Sequence, residues 1–78
     1  MQVETDESNW INTRFVLNYY FDGNWVLAQM INGDVHKIFY SNATMDHATC
    51  EKLVKFISVK KLSTKVLSKH DIYTYMGV

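Results

Sequence analysis

The chain has no proline, one cysteine, three glycines and a formal net charge of zero over 78 residues. Each scarcity excludes something. A lone cysteine, Cys50, cannot close an intrachain disulfide, so the staple of many small extracellular domains is missing and a reducing, cytoplasmic setting is expected. Balanced charge with a single arginine departs from dedicated nucleic-acid binders, which are usually strongly basic. No run approaches the ~20 apolar residues of a membrane span, and the opening MQVETDESNW holds three acids and no apolar stretch, so neither signal peptide nor anchor is expected. There is no repeat, low-complexity block or linker. Residues 10–78 read as one small domain, and residues 1–9, polar and acidic, as a frayed arm. At this size one apolar core supplies only about 3–5 kcal/mol, so a partner or a second copy is a natural supplement.

What is present begins with Arg14–Ser41, RFVLNYYFDGNWVLAQMINGDVHKIFYS. Strand-like runs are separated by Asp22-Gly23-Asn24 and by Asn32-Gly33, residue types that tolerate the positive φ of hairpin loops. Three consecutive antiparallel strands are therefore expected. With a three-residue bulged loop first and a two-residue turn second, Phe21 pairs with Trp25, Tyr19 with Leu27, Leu17 with Gln29, Leu27 with Ile38 and Trp25 with Tyr40. One face then collects Phe15, Leu17, Tyr19, Phe21, Trp25, Leu27, Ile31, Ile38 and Tyr40, and this face is assigned to the core.

The opposite face collects Val16, Asn18, Tyr20, Val26, Ala28, Met30, Val35, Lys37 and Phe39. A two-layer protein would place mostly polar residues there. Either the chain's own ends cover this second face, or part of it is an exposed apolar patch that binds another chain. Slipping the first hairpin by one residue would exchange the faces of that strand.

After the third strand, Thr44 or Asp46 can cap a helix over about residues 46–58, in which Cys50, Leu53, Val54 and Ile57 form one apolar stripe widened by Phe56. Glu51 and Lys55 sit four apart on its wetter side. Thr5 or Ser8 could cap a short N-terminal turn docked by Trp10 and Ile11, with Trp10 expected to pack on the body. Beyond the helix, a short fourth strand near residues 64–68 is expected at an edge of the sheet, followed by an extended C-terminal piece. Against the latter, Ser68-Lys69-His70-Asp71 resembles a capping box opening a helical turn. The expected class is α+β: a three- to four-stranded antiparallel meander with one amphipathic helix packed on one face, in the order β-β-β-α-β.

No catalytic or nucleotide-binding motif is present. His47 and Cys50 stand one helical turn apart, but His36 and His70 lie on other segments, so no metal site is expected and no cofactor is implied. Cys50 sits on the apolar stripe as a small core residue, and Asn42-Ala43-Thr44, which matches a glycosylation acceptor, lacks a secretory signal. A non-enzyme is expected.

Two function classes remain. The first is a protein-binding module or homo-oligomer acting through an aromatic sheet face, with Tyr20, Trp25, Val26, Met30 and Phe39 as anchors. The second is a nucleic-acid-binding regulator that stacks bases on sheet aromatics and follows phosphates with Lys52, Lys55, Lys60, Lys61, Lys65 and Lys69. Those lysines lie in the half 40–78, formally +3, against −3 for residues 1–39. In element order alone the chain resembles a double-stranded-RNA-binding domain, without that family's basic helix N-terminus. In composition and size, rich in Lys, Asn, Tyr and Ile, it is similar to small accessory proteins of large bacteriophages. That likeness implies a protein that binds and inhibits a host protein.

Overall fold

The computed structural model describes residues 1–43 and 45–78. In chain order the elements are β1 (Gln2–Glu4), β2 (Trp10–Asn12), a 3₁₀ turn (Thr13–Phe15), β3 (Val16–Asp22), β4 (Trp25–Met30), β5 (Val35–Tyr40), α1 (His47–Lys60), β6 (Val66–Leu67) and α2 (Lys69–Tyr75). The class is α+β. Strands β3-β4-β5 form the antiparallel meander, and β2-β1-β6 form a second, smaller sheet.

Glycine placement decides the two hairpins, and the loop types are the reverse of those expected. The first loop is Gly23-Asn24, closed by the Asp22–Trp25 pair. Gly23 takes φ +59, and Asn24 is not among the positive-φ residues. A positive φ at the first central position marks a II′ loop. In the second hairpin, Met30 N–H donates to Asp34 O, Gly33 N–H donates to Met30 O, and Gly33 has φ +94. That is a three-residue loop ending in a glycine bulge.

Shortening the first loop slips β3 by one residue against the expected register. Phe21 pairs with Val26, Tyr19 with Ala28 and Tyr20 with Leu27. Paired residues share a face, so Val26, Ala28, Tyr19 and Phe21 point one way, and Trp25, Leu27 and Tyr20 the other. A second irregularity sits in β5, where Val26 pairs with Phe39 and Leu27 with Lys37, leaving Ile38 extra. Ile38 and Phe39 are consecutive yet both buried, which strict alternation would not allow. The Trp25–Tyr40 pair stands as expected.

The core lies on the Val26 face. Val26, Ala28, Met30, Ile38 and Phe39 meet Cys50, Leu53 and Ile57 of α1, Ile72 of α2, and Val3, Ile11 and Leu67 of the second sheet. Burying each of the larger aliphatic or aromatic side chains contributes about 1.5–3 kcal/mol. The expected core face is therefore corrected: Ile38 and Leu27 are buried, but Phe15, Leu17, Phe21, Ile31 and Tyr40 are exposed. Only Ile38 of that set belongs to the fully buried cluster, with Tyr19 at its margin.

Helix α1 follows its sequence stripe. Cys50, Leu53 and Ile57 are its buried residues, and Asp46 caps it by accepting from Thr49 N–H at 2.7 Å. The alternative cap, Thr44, lies outside the described residues.

The ends of the chain depart furthest from expectation. Residues 2–4 form the middle strand of the second sheet rather than a frayed arm, paired antiparallel to β2 and parallel to β6. Val3 is fully buried and Thr5 is 1% exposed. Thr5 caps no helix; it closes the β1–β2 turn, its Oγ1 accepting from Asn9 N–H at 3.0 Å. Ile11 docks as expected but from a strand, while Trp10 remains exposed. The short helical turn comes later, at Thr13–Phe15, with Asn12 as its cap. The fourth strand exists at Val66–Leu67, but on the second sheet. The capping box wins over an extended tail: Ser68 Oγ accepts from Asp71 N–H at 3.0 Å, Asp71 Oδ2 accepts from Ser68 N–H at 3.2 Å, and α2 follows.

Candidate functional site

The meander turns one face away from the core. Both helices and the second sheet join the core through the Val26 face. The other face carries Tyr20, Trp25, Leu27, Lys37 and Tyr40 by register. Trp25 and Tyr40, a directly opposed pair, hold their rings 5.0 Å apart at 57°. Lys37 Nζ lies 4.9 Å from the Trp25 ring centroid, a cation over an aromatic face. Tyr40 is 40% exposed, Tyr20 and Trp25 are half-buried, and Leu27 is closed over by its neighbours. Three aromatics, an aliphatic floor and one cation make an amphipathic surface that, among the described residues, carries no paired carboxylates.

The backbone behind this surface is held from the side. Tyr40 N–H donates to Tyr73 Oη at 2.9 Å, and Tyr73 O–H donates to Asp6 Oδ1 at 2.6 Å. Asp6 N–H donates to Lys37 O at 2.8 Å. Lys69 completes the group, its Nζ donating to Asp6 O at 2.7 Å and standing 3.7 Å from Asp6 Oδ1. The outer edge of β5 is thus closed by the N-terminal segment and α2. Burial, then the bond to Asp6, pushes the Tyr73 phenol up to about 12.

Of the five anchors read from the sequence, the structure brings Tyr20 and Trp25 together on the open face. Val26, Met30 and Phe39 face the other way into the core, at 0%, 8% and 2% exposure, so they cannot anchor a partner. The one-residue slip of β3 separates Tyr20 from the even-numbered residues of β4, and the helices pack on the face of those residues rather than on the face expected. Sequence reasoning missed Tyr40 and Leu27, which it placed in the core. The signal available for Tyr40 was its pairing with Trp25.

The lysines do not join this surface. Lys52, Lys55 and Lys60 belong to α1, which packs on the opposite side of the sheet. Lys52 and Lys60 lie over Tyr75 and Phe56, whose rings stack at 3.9 Å, and Lys55 pairs with Glu51 at 3.2 Å. Lys61 and Lys65 are exposed near the end of α1 and before β6, while Lys69 is engaged by Asp6.

Several hollows flank the body, among them three beside aromatic side chains of the sheets and helices. One, of about 390 Å³, lies between α1 and α2 beside Phe56, Lys60, His70 and Tyr75. Another, about 410 Å³, is lined by Trp10, Phe15, Met30 and Ile31 at the turn end of the meander. The third, about 300 Å³, lies between β3 and α1 beside Tyr19, Phe21, His47 and Val54. Cys50, near the third, has its thiol pushed up by burial, and His47 meets the edge of Phe21 with ring centroids 6.1 Å apart. Among the described residues no three His, Cys, Asp or Glu side chains converge as a metal site would require, and no helix is long and apolar enough to cross a membrane. No protein-family model matches the chain, and no curated protein or solved structure matches it.

Proposed function

We propose that the chain is a small non-catalytic protein-binding module whose working surface is the open face of the meander, with Trp25 and Tyr40 as anchors. The carrying observation is the Trp25–Tyr40–Lys37 cluster, half-buried at Trp25 and exposed at Tyr40 and Lys37, on the sheet face turned away from the core. Aromatic side chains dominate binding energy where a partner can desolvate them, and Lys37 adds orientation. Such a module acts by occlusion or assembly. Its compositional likeness to phage accessory proteins fits an inhibitor of a host protein.

The nucleic-acid reading has less support. It needs sheet aromatics and lysines on one surface, and the lysines of α1 stand behind the sheet that presents the aromatics.

The test compares wild type with Tyr40→Asp and with a Lys52→Glu/Lys60→Glu double variant. A protein partner is identified by affinity capture and mass spectrometry, then titrated calorimetrically. Loss of at least about tenfold in affinity on Tyr40→Asp, with the lysine variant unaffected, supports the proposal. Salt-sensitive binding to RNA or DNA that the lysine variant abolishes would replace it.

A further inference from the structure

The two edges of the meander are unlike. On β5, Asp6 and Tyr73 occupy the outward Lys37 carbonyl and Tyr40 amide. On β3, among the described residues, no backbone group of Leu17–Asp22 bonds to anything beyond β4. The outward row can be placed. Since Tyr40 N–H and Lys37 O point away from β4, their partners Trp25 and Leu27 must bond toward β3. Asp22 and Tyr20 are therefore bonded inward, and Tyr19 and Phe21 present free N–H and C=O groups outward.

Natural edges are usually blunted by lysine, proline, inward charge, brevity or a bulge. β3, VLNYYFD, has seven residues and neither lysine nor proline, and its one charge, Asp22, stands at its end. A bulge at Leu17 is its one irregularity.

We propose that β3 is a homodimerisation edge, pairing antiparallel with β3 of a second copy about a two-fold axis at Tyr19. The commitment to a second copy rests on self-complementarity. Antiparallel pairing centred on Tyr19 sets Tyr19 opposite itself in an outward-bonded pair, Leu17 opposite Phe21, Asn18 opposite Tyr20 and Val16 opposite Asp22. No like charges meet. The apolar pair is formed from two side chains that the monomer leaves in water, Leu17 at 65% and Phe21 at 37% exposure. Leu17 of the second copy falls beside the hollow between β3 and α1, where Tyr19 and Phe21 form one wall. The result is a six-stranded sheet whose open face is doubled, independent of which partner that face takes.

Sedimentation velocity across a dilution series from high micromolar to sub-micromolar tests this, with amide hydrogen exchange read at both ends. Wild type is expected to sediment as twice the mass of one chain at high concentration, with the Tyr19 and Phe21 amides protected there and exposed on dilution. Leu17→Lys, at an exposed position, is expected to weaken the dimer at least about tenfold, and Tyr40→Asp to leave it unchanged. A wild-type monomer throughout overturns the proposal. So does a dimer whose Tyr19 and Phe21 amides stay exposed, a readout that needs no variant to fold.

Discussion

Tyr73 and Asp6, sixty-seven positions apart, are joined by a 2.6 Å hydrogen bond from phenol to carboxylate. The same phenol oxygen accepts Tyr40 N–H, so one side chain of α2 ties the N-terminal segment to the strand that carries the open face. Tyr73→Phe keeps the ring packed 4.8 Å from Phe39 while removing both bonds. The expected cost is about 1–2 kcal/mol, since one bond involves a charged acceptor and the Tyr40 amide can turn partly to water. Urea denaturation reads it, and the amide of Tyr40 should exchange faster in the variant. An unchanged exchange rate would refute the tie.

Alkaline pH should loosen the molecule in a defined window. Burial pushes the phenols of Tyr19 and Tyr73 from the usual 10.0 up to about 12. Both hold their protons more firmly folded than unfolded. Their contribution is fully present below about pH 10 and is lost as pH rises toward about 12. Urea midpoints measured from neutral to strongly alkaline pH should fall in that range. The Tyr19→Phe/Tyr73→Phe variant should show a shallower fall.

Adjacent residues Phe39 and Tyr40 offer the sharpest check on which face is which. Phe39 is 2% exposed and packs on Tyr73, whereas Tyr40 leans on Trp25 in the open. Phe39→Ala should cost about 3–5 kcal/mol, enough to unfold a domain of this size. Tyr40→Ala should cost about 1 kcal/mol or less. Equal losses would mean that the faces are assigned wrongly.

What the sequence made legible was local. The stripe Cys50, Leu53, Ile57 specified α1, and the glycines marked both turns, because those signals lie within a few residues of what they control. Turn positions were legible while turn types were not: Gly23 opens its loop and Gly33 ends its own, and that difference moved β3 by one residue. With it went the site. Tyr20 parted from Val26, Met30 and Phe39, the helices packed on the face of those three, and Tyr20 joined Trp25 on the other. The pairing of Val3 with Leu67 had no local signal at all. Strands of two or three residues carry too little periodicity to be seen.

That illegible contact supports the last prediction. A polar, acidic start to a chain is ordinarily dispensable, yet here Val3 is the fully buried centre of β2-β1-β6, and Glu4 Oε1 accepts from Lys69 N–H at 2.9 Å. Removing residues 1–6 would strip β2 and β6 of their shared partner, expose Ile11 and Leu67, and release Tyr73 and Lys69 from Asp6. None of these losses can be made good locally, because neither a two-residue nor a three-residue strand is stable without a neighbour. The truncated chain should lose cooperative thermal unfolding by circular dichroism. Val3→Asp should do the same by placing an unpaired charge in the core. Gln2→Lys, one position away but exposed, should leave the melting curve almost unmoved. If the truncated chain melted like the full one, the second sheet would be an ornament on the meander rather than part of its core.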